Sequence, residues 1–227
     1  MKKRLLIFDF DGTIVDSGDV VYVINRSIFK KEFNINISKN EFYKLFDDNF
    51  YKNFAKFLFK HKKIGFLGLL KLEFEKKKIQ KYVEQLLIEL ENHKSHFKPF
   101  PDIKNMLKEL KKKNILTVVS SDLDSFVKYI IKKYKLEYFN DALGADFALS
   151  KIKKIKYLIK KYNIPKSDVI YIGDTIGDIL EAKKAGIQCI AVTFGFHSKK
   201  RFSGSKIKAD YYADNAKELL EIIKRKK

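Results

Sequence analysis

The chain begins with a short apolar run that stops at acidic residues. Residues 5–8 are continuously hydrophobic, and Asp9, Asp11 and Gly12 follow directly. An apolar run of this length that ends at polar residues and glycine is typical of a strand buried on both faces of a parallel sheet. We therefore predict a first strand whose carboxyl end carries two carboxylates.

The segment from residue 16 to residue 96 has a helical rhythm instead. It contains no proline, and its large apolar side chains recur at intervals of three and four residues, as Phe50, Phe54 and Phe57 do. This spacing places such side chains on one face of a helix. We predict that the whole segment is helical and that these three phenylalanines pack inside it.

After Pro99 and Pro101 the pattern changes to helices that alternate with strands. The predicted elements are helices over 103–113, 123–133, 151–162, 176–185 and 216–224, and strands over 115–119, 169–172 and 187–192. We expect Asp102 to cap the first of these helices. This alternation indicates an α/β fold with a doubly wound, Rossmann-like parallel sheet. The predicted domains are a core domain, residues 1–15 and 97–227, and an inserted all-helical domain, residues 16–96.

The net charge of +20 does not by itself indicate a nucleic-acid-binding protein. A strongly basic balance invites a nucleic-acid partner, because cations neutralise phosphates. However, only four of the 48 basic residues are arginine, the usual residue for bidentate recognition of bases and phosphates. The lysines lie mainly beside apolar residues at helical spacing, which is typical of solvated helix faces. We therefore expect no nucleic-acid partner.

Cysteine content and hydropathy both favour the cytoplasm. Cys189 is the only cysteine, so the chain cannot form an internal disulfide framework. It lies in a predicted buried strand, where we expect it to be inert. No stretch approaches the ~20 apolar residues that span a bilayer. We expect a cytoplasmic protein without a membrane partner.

Polar residues collect after three of the predicted strands. They are Asp9 and Asp11 after the first, Ser120 and Ser121 after the second, and Asp174 with Asp178 after the third. Ligands of open α/β sheets bind outside the carboxyl ends of the strands, so we expect these side chains to meet in one crevice. Lys151, at the start of a predicted helix, is a candidate to hold an anion there.

The acidic pair indicates a metal site. Residues two apart in an extended chain point to the same side, and two ionised carboxylates held together repel unless a cation intervenes. Because the available ligands are oxygens and the sequence has no cluster of Cys and His, the expected metal is Mg²⁺ rather than zinc.

Phosphoryl transfer is the chemistry that such a site offers. A carboxylate can attack phosphorus and form an aspartyl-phosphate. The charge on the transferring group is then neutralised by a metal, a lysine and hydroxyl or amide donors. Gly12 lets a ligand approach the main chain closely. The predicted substrate- and phosphate-binding residues are Gly12, Thr13, Ser120, Ser121 and Lys151.

Four stretches resemble the motifs of the haloacid dehalogenase-like (HAD) hydrolase superfamily, in its phosphoglycolate phosphatase-like branch. Residues 9–17, Asp-Phe-Asp-Gly-Thr-Ile-Val-Asp-Ser, resemble the first motif, and residues 118–121, Val-Val-Ser-Ser, resemble the second. Lys151 matches the lysine of the third motif, and residues 172–178, Ile-Gly-Asp-Thr-Ile-Gly-Asp, resemble the fourth. The motifs occur in the family's order, and the resemblance covers essentially the whole chain.

The resemblance implies a role for each matching residue. Asp9 would be the nucleophile and a metal ligand. Asp11 would act as general acid and then as general base, with its backbone carbonyl on the metal. Ser120 and Lys151 would bind phosphate, and Lys151 would also screen Asp9.

The resemblance also implies a cofactor, a cap and a substrate class. The implied metal ligands are Asp9, Asp11, Asp174 and Asp178, around Mg²⁺. The helical segment would be a cap domain that excludes water and selects the substrate. The partner would be a small phosphorylated metabolite, and the protein a monomer or homodimer.

Two departures from the motifs leave alternatives open. Ser121 stands where the second motif often has asparagine, and Ile152 follows Lys151 where the third motif often has proline. Lys153 and Lys154 therefore remain alternatives for the phosphate-binding lysine. We assign no catalytic role to His197.

The leading prediction is a Mg²⁺-dependent phosphomonoester hydrolase that works through an aspartyl-phosphate. One alternative is a phosphomutase of the β-phosphoglucomutase type, which would use Asp11 in the same way. The other is a non-catalytic binding protein on the same fold. Release of inorganic phosphate without isomerisation of the substrate would separate the first prediction from both.

Overall fold

The computed structural model describes residues 3–48, 50–61 and 68–225, and it divides the chain into two compact units. The core unit comprises Met1–Ser17 and Phe97–Lys227, and the helical unit comprises Gly18–His96. The core unit therefore has two segments, and the helical unit is inserted between them.

The elements follow one another in the chain as we now number them. The strands are β1 (Arg4–Phe8), β2 (Val15–Asp16), β3 (Lys98–Pro99), β4 (Asn114–Val119), β5 (Asp141–Leu143), β6 (Val169–Gly173), β7 (Gln188–Val192) and β8 (Tyr211–Ala213). The helices of the helical unit are α1 (Gly18–Phe33), α2 (Lys39–Lys44), α3 (Phe50–His61) and α4 (Gly68–His93). The helices of the core unit are α5 (Ile103–Lys111), α6 (Asp124–Lys133), α7 (Lys151–Tyr162), α8 (Ile176–Ala185), α9 (Lys199–Ser203) and α10 (Ala216–Arg225). Short 3₁₀ turns occupy Leu45–Asp47, Lys94–His96 and Lys166–Asp168.

Within the described part of the core unit, six parallel strands form one sheet in the order β5-β4-β1-β6-β7-β8. The first strand lies at its centre, where Phe8 pairs with Val118 on one side and with Ile172 on the other. The chain therefore winds outward from β1 in both directions, which confirms the predicted α/β fold. The carboxyl end of β1 is the switch point at which open α/β sheets bind ligands.

Helices cover both faces of the sheet. On one face, Leu5, Ile7 and Tyr171 of the central strands pack against Ile155 and Leu158 of α7 and against apolar residues of α8. On the other face, α5 contacts β4 and α10, and α10 contacts β8. The side chains of β1 are buried on both faces from Leu5 onward, which explains why the strand reads as an unbroken apolar run.

Three short elements and a small ribbon have no clear signal in the sequence. The edge strands β5 and β8 are three residues long, and α9 is five, so none contains enough residues for a periodic pattern. In the ribbon, β2 and β3 pair antiparallel, with Val15 opposite Pro99 and Asp16 opposite Lys98. Their pairing is a tertiary contact that no local pattern predicts.

The predicted cap at Asp102 is wrong. Asp102 precedes α5, but it has a left-handed backbone (φ 61°), and its side chain makes no capping hydrogen bond. Its carboxylate instead lies 3.7 Å from the ammonium of Lys217 on α10. The helix also ends at Lys111 rather than at Lys113, because residues 112 and 113 form a turn into β4.

Aromatic side chains form the interior of the helical unit. Phe29, Phe54 and Tyr82 are buried, with ring centroids 5.4 Å apart for Phe29 and Phe54 and 4.5 Å apart for Phe54 and Tyr82. The Tyr82 hydroxyl donates to the buried amide of Asn25. Residues 62–67, which fall within the predicted helical segment, lie outside the described residues. In the described parts of the chain, no helix is both long and apolar enough to cross a bilayer.

A truncation in α7 tests the packing beneath the sheet. Leu158 is fully buried in the core cluster, so Leu158→Ala should lower the free energy of unfolding by about 2–5 kcal/mol through lost burial and a residual cavity. Lys156 is exposed on the same helix, and Lys156→Ala should change the free energy of unfolding by less than about 0.5 kcal/mol. Urea denaturation of both variants measures the difference, and equal effects would contradict the packing described.

Candidate active site

The register of the sheet brings three chain segments together at the carboxyl end of β1. Asp9 follows Phe8 directly, and its backbone N–H donates to the carbonyl of Ile172 at 2.8 Å. Ser120 follows β4, and Asp174 follows β6. The side chains that the sequence places after three separate strands therefore belong to one edge of the sheet, as we predicted.

Lys151 bridges two of the acidic residues. Its ammonium lies 2.8 Å from Asp9 Oδ1 and 2.7 Å from Asp178 Oδ1. The lysine side chain is only 12% exposed, and both carboxylates are buried. A buried ion pair of this kind is costly to break, because the partner that remains would be an uncompensated charge.

The ionisation of these groups reflects burial as well as charge. Burial, and then the nearby Asp178, raise the pKa of Asp9 to about 8, although Lys151 opposes the shift. Burial would also raise the pKa of Asp178, but Lys151 and hydrogen bonds from Thr175 and Tyr171 hold it below its usual value. Burial alone would lower the pKa of Lys151, yet Asp178 and Asp9 together raise it well above its usual value. Lys151 and Asp178 are therefore charged, and Asp9, whose pKa lies above neutrality, would gain from a further cation.

Asp174 is fully buried in a cradle of backbone. Its Oδ2 accepts from the N–H of Phe196 at 2.7 Å, and its Oδ1 accepts from the Thr13 hydroxyl at 3.3 Å. A Cβ on Gly12, where φ is +69°, or on Gly195 would overlap the Asp174 carboxylate. Burial, and then Asp178 and Asp9, raise the pKa of Asp174 well above its usual value. These glycines are what allows the main chain to close around the acid.

Asp178 has hydrogen-bond partners for both of its oxygens. Its Oδ1 accepts from Lys151 and from the Tyr171 hydroxyl at 3.0 Å. Its Oδ2 accepts from the backbone N–H and the hydroxyl of Thr175, at 3.1 and 2.6 Å, in a capping box that begins α8. These contacts position Lys151 and the start of the helix.

The Ser120 hydroxyl is held by the turn that follows β4. Its Oγ accepts from the N–H of Asp122 at 2.9 Å, and its backbone N–H donates to Leu143 at 3.0 Å. The ammonium of Lys154, which is fully buried, donates to the Ser120 carbonyl. Burial lowers the pKa of Lys154 to about 8, and Lys151 adds to the shift. Ser121, in contrast, is exposed.

Asp11 lies beside a second acid that sequence reasoning did not single out. Burial, and then Asp122, raise the pKa of Asp11 well above its usual value. The hydroxyl of the buried Ser17 is also near enough to Asp11 to influence this pKa. Nevertheless, Asp11 Oδ1, Asp122 Oδ2 and Ser17 Oγ are all buried without a hydrogen bond of ordinary geometry to any described residue.

The donor set suits a small, hard cation. Asp9, Asp174 and Asp178 each offer a buried carboxylate oxygen, and the three oxygens lie within 4.8 Å of one another. Oxygen-only donors are those that Mg²⁺ prefers. Burial and mutual repulsion raise the pKa values of Asp9 and Asp174, so added positive charge would be favourable at this point.

Four further residues at this end of the sheet were given no role by the sequence analysis or, in the case of Lys154, only an alternative one. They are Asp122, Lys154, Glu181 and His197. His197 is buried, and its Nδ1 accepts from the N–H of Ile176 at the start of α8. Burial raises the pKa of Glu181, one turn beyond Asp178, to about 7. Asp122 had a usable signal, because it directly follows the Ser120-Ser121 pair that we singled out. The other three depend on contacts between distant segments.

Comparison with known proteins identifies the family. The sequence model of the haloacid dehalogenase-like hydrolases matches residues 6–192, and this chain therefore belongs to that family. The phosphoglycolate phosphatase of Aquifex aeolicus is 30% identical over 201 residues, which cover 85% of this chain and 86% of that relative.

Two further comparisons show how far the likeness extends. The phosphoglycolate phosphatase of Vibrio parahaemolyticus is 30% identical over 129 residues, and the match spans little more than half of each protein, 55% of this chain and 56% of the relative. A haloacid dehalogenase-like hydrolase of known structure from Streptococcus pneumoniae superposes with a TM-score of 0.73 over 97% of this chain and 98% of that one, at 22% identity. The structural likeness shows the fold.

A small steric change tests the cradle around Asp174. In Gly195→Ala the new methyl group would overlap both the Gly12 carbonyl and the Asp174 carboxylate, so the free energy of unfolding should fall by about 1–3 kcal/mol. The nearest atoms to a Cβ at Gly204 are 3.7 Å away, an ordinary contact, so Gly204→Ala should cause no loss. Urea denaturation in metal-free buffer compares them, and an unperturbed Gly195→Ala would refute the close packing.

Proposed function

We propose that this protein is a Mg²⁺-dependent phosphomonoester hydrolase that forms an aspartyl-phosphate on Asp9 and acts on a small phosphorylated metabolite. The observation that carries the proposal is the position of Asp9, which is buried at the end of the central strand, ion-paired with Lys151, and grouped with Asp174 and Asp178. A nucleophilic carboxylate, a fixed cation and a metal site are the parts that phosphoryl transfer requires.

The metal site would be built mainly on Asp9 and Asp174. Both have raised pKa values and so gain from a cation, whereas both Asp178 oxygens already accept hydrogen bonds from protein donors. We therefore propose that Asp178 positions Lys151 and stabilises the metal site without being its main ligand. The backbone carbonyl of Asp11 is the expected further ligand. When bound, Mg²⁺ would neutralise charge on the phosphoryl group and on the acidic cluster.

In the first half-reaction, a carboxylate oxygen of Asp9 attacks phosphorus, and the bond from phosphorus to the ester oxygen breaks. Asp11, whose raised pKa favours the protonated acid, gives its proton to the leaving oxygen. Lys151 and the Ser120 hydroxyl would hold the phosphoryl oxygens, with the main chain at Gly12 and Thr13 close by.

In the second half-reaction, water attacks the phosphorus of the aspartyl-phosphate. Asp11, now a carboxylate, accepts a proton from this water, and the bond from phosphorus to the Asp9 oxygen breaks. Inorganic phosphate leaves, and both acids return to their starting protonation states. The same group thus serves as acid and then as base, so the step needs no further titratable residue.

The helical unit would act as the cap of this enzyme. Its two ends join the core unit immediately after Ser17 and immediately before Phe97, so it is inserted directly after the segment that carries Asp9 and Asp11. A cap at this point in the chain would exclude water during transfer and contribute to selection of the substrate. A cytoplasmic monomer or homodimer is the expected form of the protein.

Two experiments separate this proposal from the alternatives. The purified protein should release inorganic phosphate from p-nitrophenyl phosphate in the presence of Mg²⁺. This release should stop when EDTA removes the metal. A phosphomutase would instead return an isomerised sugar phosphate, and a binding protein would show saturable binding without turnover. The absence of any metal-dependent phosphate release would overturn the proposal.

Asp9→Asn tests the nucleophile. The amide nearly matches the carboxylate in shape but is a poor nucleophile, so kcat should fall by about 10³-fold or more. Circular dichroism and thermal unfolding should show that the fold is retained. Single-turnover assays with ³²P-labelled substrate should trap an acid-stable phosphoprotein in the wild type and none in the variant. Near-normal Mg²⁺-dependent rates in the variant would exclude Asp9 as the nucleophile.

Lys151→Met tests which lysine acts in the site. Loss of the ammonium between Asp9 and Asp178 should reduce kcat/KM by about 10²–10³-fold, because the charge that faces the phosphoryl group is removed. Lys153 is exposed on the same helix turn, and Lys153→Met should leave the rate unchanged. Assays belong well below the unfolding temperature of both variants, since an unpaired buried acid also destabilises the fold. Equal rates in the two variants would count against the assignment.

A further inference from the structure

We propose that Lys154 is a positioning residue, which fixes Ser120 for its contact with the phosphoryl group without touching the substrate itself. This inference rests on the proposed function and deepens it, because it assigns a task to a second lysine of α7. The observation behind it is that the fully buried ammonium of Lys154 donates to the backbone carbonyl of Ser120.

The place of Lys154 in α7 is unfavourable for a lysine. The helix begins at Lys151 after the N-cap Ser150, so Lys154 lies in its first turn, where the positive end of the helix dipole disfavours a cation. Complete burial adds a second cost, because the ammonium loses its contact with water. Neither cost applies to a lysine exposed in the middle of a helix. We infer that Lys154 is present for the contact it makes rather than for the stability of α7.

The two buried lysines of this turn have different partners. Lys151 pairs with Asp9 and Asp178. Within the described residues, the Ser120 carbonyl is the only hydrogen-bond acceptor of the Lys154 ammonium, and no carboxylate forms an ion pair with it. Lys151 therefore serves the acids, whereas Lys154 serves the backbone that carries the Ser120 hydroxyl.

Ser120 is held from three directions. Its N–H donates to Leu143 of β5 at 3.0 Å, and its Oγ accepts from the N–H of Asp122 at 2.9 Å. Lys154 supplies the third contact, from a helix that packs on the sheet. Without this contact the peptide that follows Ser120 could rotate and turn the hydroxyl away. Small displacements of a binding group are enough to weaken its contact with a phosphoryl oxygen.

A double-mutant cycle of Lys154→Met and Ser120→Ala tests whether Lys154 acts through Ser120. Methionine has nearly the length of lysine but cannot donate to the carbonyl. Calorimetric titration with inorganic phosphate in the presence of Mg²⁺ measures binding, and p-nitrophenyl phosphate gives kcat/KM. We expect Lys154→Met to weaken phosphate binding by about 5-fold and Ser120→Ala to weaken it by about 10-fold. The double variant should match Ser120→Ala within about threefold, because the hydroxyl that Lys154 positions is already gone.

Independent effects would multiply instead, to a loss of about 50-fold in the double variant. That result would overturn the inference, because Lys154 would then act through its charge or through the fold. Wild-type phosphate affinity in Lys154→Met would overturn it as well. All titrations belong below the unfolding temperature of each variant, and Lys154→Leu replaces Lys154→Met in the cycle if the methionine variant does not fold.

The matched control removes the same charge from the surface of the same helix. Lys156 is exposed, and Lys156→Met should keep phosphate affinity within about twofold of the wild type, because the distant charge is screened by solvent. Equal losses in Lys156→Met and Lys154→Met would indicate general electrostatic attraction and would rule out a positioning role.

Turnover of p-nitrophenyl phosphate separates failure of this inference from failure of the proposed function. If the wild type hydrolyses this ester with Mg²⁺ but the two substitutions act independently, the phosphatase assignment stands and the role of Lys154 falls. If the wild type neither binds inorganic phosphate nor hydrolyses the ester, the proposed function and this inference fail together.

Discussion

One ammonium group holds the acidic end of the core unit together. Lys151 lies within 2.8 Å of two buried carboxylates, and it keeps the pKa of Asp178 low while opposing the rise at Asp9. Without it, the burial and mutual repulsion of these acids would raise their pKa values further, toward neutral forms that neither attack phosphorus nor hold a cation. The hydrogen bonds from Tyr171 and Thr175 to Asp178 matter for the same reason, because they fix the anion that anchors the lysine. Charge balance at this point is thus distributed over α7, α8 and two strands.

The sheet makes this concentration of charge possible. Because β1 lies at the centre, its carboxyl end is flanked by the ends of β4 and β6, and three polar segments converge without any long loop. Around Asp174, where further side chains would overlap, backbone groups make the contacts instead. The main chain at Gly12 and Gly195 lies against the Asp174 carboxylate, and the N–H of Phe196 donates to it. A site built in this way is stiff, since its donors belong to the scaffold rather than to flexible side chains.

The sequence was sufficient for the parts of the structure that rest on local patterns. The buried strand before Asp9 and the alternation after Pro101 predicted the parallel sheet, and the polar residues after three strands predicted which segments meet. The edge strands could not be predicted, because three residues carry no period, and the cap at Asp102 was wrong because a left-handed backbone turns its side chain away. Partners such as Lys154, which reaches the Ser120 carbonyl from α7, depend on helix packing and leave no trace in spacing.

The small ribbon formed by β2 and β3 has a consequence for how this architecture can change. Asp16 pairs with Lys98, so the points at which the chain leaves the core unit and returns to it are neighbours, about 5 Å apart as in any antiparallel pair. A turn of a few residues could join them, and an insert of any length adds little to the entropy of closing that gap. The core unit is therefore joined to any insert through two adjacent chain ends, whatever the insert's length or fold. Inserts can be lengthened, shortened or exchanged over evolutionary time while the sheet, and the acids at its edge, stay as they are.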